Sequence, residues 1–137
     1  MDEFLDKKYQ QTNQNNFEDY LVYTGVNYLG RKIALTLKPV QSLHRNNDGT
    51  YTFRITSSYF NWEIVFTPGI EFEETKPDGS KVRAKFLMND NIMTHIQVDE
   101  NGIQSKHVIE FYPDKNIVTT TATGLEKVVT RHYTLVS

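Results

Sequence analysis

Residues 116–123 read NIVTTTAT, and the two faces of this β-rich run decide the fold. Side chains along a strand point alternately to opposite sides. One face therefore carries Ile117, Thr119, Thr121 and Thr123, and the other Val118, Thr120 and Ala122. Neither set suits the dry interior between two packed sheets, where inward faces are apolar. Threonines facing a water-containing cavity are tolerated, and a barrel wide enough to hold ligand and water supplies such a cavity.

The next stretch downstream, LEKVVTRHYTLV at 125–136, points the same way. Its more apolar face holds Leu125, Val129, Tyr133 and Leu135, and it takes Lys127 and Arg131 with it. A guanidinium cannot be deprotonated, so an inward Arg131 requires an interior that hydrates or pairs it. His132 falls on the opposite face. Upstream as far as Pro39 the chain is short β-rich runs such as TYTFRITSS, WEIVFT, KVRAKFLM and HVIEFY. Turn signals separate them, among them Asp48-Gly49, Pro68-Gly69, Asp78-Gly79 and DENG ending at Gly102. Strands bounded in this way form a sandwich or an up-and-down barrel, and the mixed faces select the barrel.

Before Pro39 the pattern changes to helical. NNFEDYLVYTG offers Asn15 and Asn16 as N-caps, spaces Phe17, Tyr20, Leu21 and Tyr23 helically, and stops at Gly25. VNYLGRKIALTL follows with Asn27 as a cap. A first alternating stretch around Tyr9 precedes both segments.

At 137 residues the chain is read as one domain, 1–137. A net charge of −2 opposes the basic footprint of a nucleic-acid binder. No apolar run approaches the ~20 residues that cross a bilayer. MDEFLDKKYQ lacks the apolar core of a secretory signal, so a cytoplasmic location is expected. Without cysteine there is no disulfide, thiolate nucleophile or cysteine metal site. His44, His95, His107 and His132 show no metal-ligand spacing, and His95 fits either side of the wall. TSS lacks a nucleophile elbow, and the carboxylates of EFEET read as a solvated strand end. No enzyme activity, metal or cofactor is expected.

One strand, two short helices and about nine further antiparallel strands resemble the intracellular fatty-acid-binding protein family, which includes retinoid and bile-acid carriers. Tyr9, then Asn16, Phe17, Glu18, Tyr20 and Leu21, match its N-terminal pattern. GVNYLGRKIA resembles its second helix, and TSSYFNWEIVFTPGIEFEETKPDGSKV its central signature. Arg131-His132-Tyr133 is similar to its closing Arg-x-Tyr. Lys7 and Gln11 depart from the usual small and apolar residues. A second arginine, common in the family, is absent. Its position falls on Ile109 or Glu110 of KHVIEFYPDKN, with Ile109 favoured.

The resemblance implies an all-β fold: a ten-stranded antiparallel up-and-down barrel, or clam, with a helix-turn-helix lid between its first two strands. It implies non-covalent carriage of a long-chain fatty acid or related carboxylate, with Arg131 and Tyr133 holding the carboxylate. The alternative is a structural role, Arg131 paired with an interior acid such as Glu110. The matched lining is Phe17, Leu21, Ile33, Thr56, Phe60, Ile109, Thr119 and Thr121. Tyr28, Leu29 and Phe60 match the portal, together with the KPDGS turn. Arg31, Lys32, Lys76 and Lys81 would offer basic charge to anionic membranes. A retinoid or bile-acid-like ligand is the nearest rival. A lipid chaperone acting through membranes or a nuclear receptor, with access to the nucleus, is a rival of another class. A monomer is expected.

Overall fold

The structure, a computed structural model, describes residues 1–137. Ten antiparallel strands form one sheet that curls into a nearly closed barrel. They are β1 (Tyr9–Asn15), β2 (Val40–Arg45), β3 (Tyr51–Thr56), β4 (Asn61–Phe66) and β5 (Phe72–Thr75), then β6 (Lys81–Asn89), β7 (Ile92–Val98), β8 (Gln104–Phe111), β9 (Lys115–Ala122) and β10 (Val129–Leu135). Consecutive strands are neighbours except β4 and β5, and β1 closes against β10 with Tyr9 opposite Leu135 and Gln11 opposite Tyr133. The β4 and β5 edges do not pair, although the Trp62 indole Nε1 donates to the Thr75 carbonyl at 3.4 Å across the gap.

Turn chemistry sets the hairpins. Gly49 and Gly79, each following an aspartate, sit at φ +87° and +88°, where a side chain would be strained. Asp48 and Asp78 accept from the backbone N–H and hydroxyl of Thr50 and Ser80, and these bonds lower both carboxyls from their ordinary range.

Two helices fill the connection between β1 and β2: α1 (Phe17–Tyr23) and α2 (Tyr28–Thr36). Asn27 caps α2, its Oδ1 accepting from the Gly30 N–H at 2.8 Å. Asn16 precedes α1 in the left-handed region without capping it. Its side chain instead donates to the Val128 carbonyl at 3.0 Å, fastening α1 to the start of β10. Lys127 with Asp19 at 3.5 Å, and the Tyr23 hydroxyl donating to the Thr123 carbonyl, hold the same junction.

The apolar core lies at the end of the barrel away from the helices. A 3₁₀ turn at Asp2–Phe4 packs Phe4 against Phe111, and Tyr9, Leu43, Phe66, Phe86 and Met93 fill the space above it. From this core an aromatic stack, Phe66 on Phe86 at 4.0 Å and Phe86 on His95 at 4.1 Å, rises into the barrel.

Candidate functional site: a lidded cavity with a polar wall

The strand alternation that buries Val129 and Tyr133 turns Arg131 inward with them. Arg131 and Tyr133 line an interior cavity of about 350 Å³ beneath α1. Its apolar side includes Phe17, Leu21, Phe53, Ile55 and Trp62. At the lid end it adjoins a wider, polar mouth of about 700 Å³, edged by Tyr23 of α1, by Thr24 just after it, and by the turns at Lys76–Ser80 and Asp99–Ile103.

The opposite side of the cavity is polar, and its polar groups are joined. Across three strands His95 stands directly opposite His107, and His107 opposite Thr120. Gln97 Nε2 donates to Glu74 Oε2 at 2.9 Å, leaving Gln97 Oε1 as the acceptor 3.0 Å from His107 Nε2. His107 therefore carries its proton on Nε2. Burial, with His95 and Arg131 nearby, holds His107 well below its ordinary pKa, so the ring is neutral. Its Nδ1 then accepts from the Thr120 hydroxyl at 2.8 Å. Thr120 in turn accepts a long 3.5 Å contact from Arg131 Nη2. At the other end His95 Nε2 lies 2.7 Å from Glu74 Oε1. The result is a line of hydrogen bonds from the Arg131 cation to the Glu74 carboxylate.

Arg131 itself has no acid in contact; none of the chain's ion pairs includes it. Its Nε is buried without an acceptor, and its guanidinium lies over the Phe17 ring. Gln41 on β2 lines the same cavity, is 2% exposed, and has an unpartnered Nε2. Burial raises the Tyr133 hydroxyl pKa while Arg131 opposes the rise, so the phenol is a neutral donor. The head of the cavity thus presents donors in excess of acceptors.

The structure places Phe17, Leu21 and Ile109 in the cavity wall. It moves other expected residues out. On β9 the inward positions are Asn116, Val118 and Thr120, because Val118 opposes the buried Ile109. Thr119 and Thr121 accordingly point outward. Thr56 lies one position past the inward Ile55, and Ile33 and Phe60 are half-buried outside the lining. Glu110 faces away from Arg131 and accepts from the Tyr112 hydroxyl at 2.7 Å, so it is not the interior acid. That acid is Glu74, 3% exposed, which the sequence places in an apparently solvated EFEET. Its only local signal is its two-residue spacing from Phe72.

The mouth includes the KPDGS turn but not Tyr28, Leu29 or Phe60. Tyr28 and Leu29 are 65% and 69% exposed on α2. Arg31 donates to the Val26 carbonyl at 2.7 Å and meets Glu18 at 3.7 Å, so it braces the lid and is only partly a surface charge. No group of three or more His, Asp or Glu side chains suits a metal ion, and no helix is long and apolar enough to cross a membrane.

Comparison with known proteins agrees with this architecture. Residues 7–135 match the model of the lipocalin / cytosolic fatty-acid binding protein family. A fatty acid-binding protein of Lepidoglyphus destructor is 33% identical over 121 residues, covering 88% of this chain and 91% of that protein. The solved fatty acid-binding protein from Drosophila melanogaster brain is 30% identical with a TM-score of 0.87, covering 96% of this chain and 98% of its own. A Schistosoma mansoni fatty acid binding protein, solved in complex with arachidonic acid, is 27% identical with a TM-score of 0.89 over 100% of this chain and 98% of its own. With a lidded ten-stranded barrel, an inward Arg131 and a family match over nearly its whole length, the chain belongs to the lipocalin / cytosolic fatty-acid binding protein family.

Proposed function

We propose that this protein is a cytoplasmic carrier that holds one long-chain fatty acid, or a related hydrophobic carboxylate, non-covalently inside the barrel. The observation that carries the reading is Arg131: a cavity-lining cation with a buried Nε that lacks an acceptor and with no acid in contact. A carboxylate supplies the missing acceptor, and charge-assisted bonds from a guanidinium fork, with the Tyr133 hydroxyl beside it, are strong and directional. The arachidonic acid bound by the Schistosoma mansoni relative supports an acyl chain as the remainder of the ligand.

The tail supplies most of the affinity. Burial contributes about 0.8 kcal/mol per methylene, against roughly 1.5–3 kcal/mol for one charge-assisted hydrogen bond, so Arg131 chiefly sets orientation. The protein acts as a monomer that binds and releases ligand without catalysis. Exposed Tyr28 and Leu29, with Lys32 Nζ 5.2 Å from the Tyr28 ring, form the surface by which α2 touches anionic membranes during transfer.

A displacement titration with a fluorescent fatty-acid analogue tests the reading. One site per chain, emptied by oleate in preference to retinol or cholate, is expected. Arg131→Gln should weaken oleate by roughly 1.5–3 kcal/mol and leave oleyl alcohol nearly unchanged. Equal losses for acid and alcohol would remove the carboxylate from Arg131. No binding of any acyl probe by folded protein would remove the carrier.

A further inference from the structure

The polar wall contains more hydrogen-bonding capacity than a plain acyl chain can use. His95, His107 and Thr120 form a row across β7, β8 and β9, and Arg131 follows on β10 one diagonal step away, since Val129 opposes Thr120. Along this row His107 uses both ring nitrogens and Gln97 both ends of its amide. His95 uses only one. Its Nε2 meets Glu74, and its Nδ1 has no protein partner. The ring is 5% exposed, lines the cavity, and is clamped by Glu74 on one edge and by the Phe86 face 4.1 Å away. It cannot turn without breaking the Glu74 bond, so Nδ1 is a fixed polar atom with an unfilled bond in a lipid-sized space.

We propose that His95 is a second recognition point in the cavity, which takes a hydroxyl on the ligand's chain, so that the preferred ligand is a long-chain carboxylic acid hydroxylated near its middle. This rests on the carboxylate reading of Arg131. The spacing sets the position of the hydroxyl. From β10 to β7 is three inter-strand steps, about 14 Å along the wall at ~4.8 Å each, well beyond the carboxylate and short of the terminal methyl of an extended C18 chain. The chemistry sets its nature. A hydroxyl both donates and accepts, so it bonds Nδ1 whether or not that nitrogen holds a proton. A methylene in the same place strips Nδ1 of water and returns nothing. Sites that hydrogen-bond a hydroxyl reject the analogue lacking it more strongly than an apolar pocket rejects one methylene.

The full-length protein, freed of lipid, is titrated with stearate, 2-hydroxystearate, 12-hydroxystearate and 12-oxostearate. We expect 12-hydroxystearate to bind about tenfold tighter than stearate, the value of one satisfied buried polar group. The 2-hydroxy acid should match stearate, and the 12-oxo acid, which cannot donate, should gain less. In ¹⁵N spectra of the histidine rings, the His95 Nδ1 signal should report a hydrogen-bonded nitrogen with 12-hydroxystearate and an unbonded one with stearate. Stearate binding as tightly as 12-hydroxystearate, or the same His95 Nδ1 signal with both acids, overturns the inference and leaves the carrier standing. If none of the four acids binds, both fall together.

Discussion

The guanidinium carbon of Arg131 lies 5.0 Å from the centroid of the Phe17 ring, so the first residue of α1 packs on the cation at the head of the cavity. Phe17 thereby ties α1 to Arg131. Phe17→Leu keeps an apolar side chain but removes the ring face, worth roughly 1 kcal/mol for a partly desolvated cation. Fatty acid release, followed by stopped-flow transfer to vesicles, should speed up about fivefold. An unchanged rate would show that the ring is only a wall contact.

Without ligand the Arg131 guanidinium has no acid in contact, its Nε has no acceptor and its bond to Thr120 is long, so the Phe17 ring and the neighbouring Tyr133 only partly offset its burial. Arg131→Gln should therefore leave the unliganded barrel as stable as before, or raise its melting temperature. A drop of several degrees in a thermal melt would mean that the cation holds the barrel together.

Glu74 should behave in the opposite way. It accepts from Gln97 and bonds His95 at 2% side-chain exposure. Glu74→Ala removes both acceptor oxygens at once and leaves two buried groups unpaired, costing about 1–3 kcal/mol for each. Urea unfolding should show a clearly lower midpoint with an unchanged slope. A midpoint within error of the parent would mean that water replaces the carboxylate at no cost.

His107 makes stability depend on pH. In the folded barrel burial keeps it neutral well below its ordinary pKa, whereas in the unfolded chain it takes a proton near pH 6.5. Below that pH the unfolded state binds the extra proton, so stability falls on acidification by up to about 1.4 kcal/mol per pH unit from this group. Above about pH 7 the group contributes no slope. His107→Leu removes the contribution, so the gap between parent and variant in unfolding free energy should narrow from pH 7 to pH 5. Parallel curves over that range would exclude His107 as the source.

The strand-and-turn plan is legible because its signals are local. Asp-Gly pairs fall at positive-φ turns, and Val129, Arg131 and Tyr133 share a face by simple alternation. The polar wall is less legible because its partners are remote. On β9 both faces are mixed, so no hydrophobic majority selects the inward one; that choice depends on Val118 meeting Ile109 on another strand. Glu74 sits between the exposed Glu73 and Thr75, and only a histidine twenty-one residues away, reached by folding, shows it to be interior. His95 reads equally well on either side until β7 is paired on both edges.

β10 pairs β9 on one side and β1 on the other, and it also carries Arg131 and Tyr133. The strand that completes the barrel is therefore the last of the ten to be synthesised, and its partner β1 is the first. Such long-range closure is entropically slow. Until β10 is made, β1 and β9 wait as open edges, and the polypeptide has neither a sealed interior nor Arg131. Closure of the wall and arrival of the Arg131 guanidinium at the cavity are therefore one step of folding.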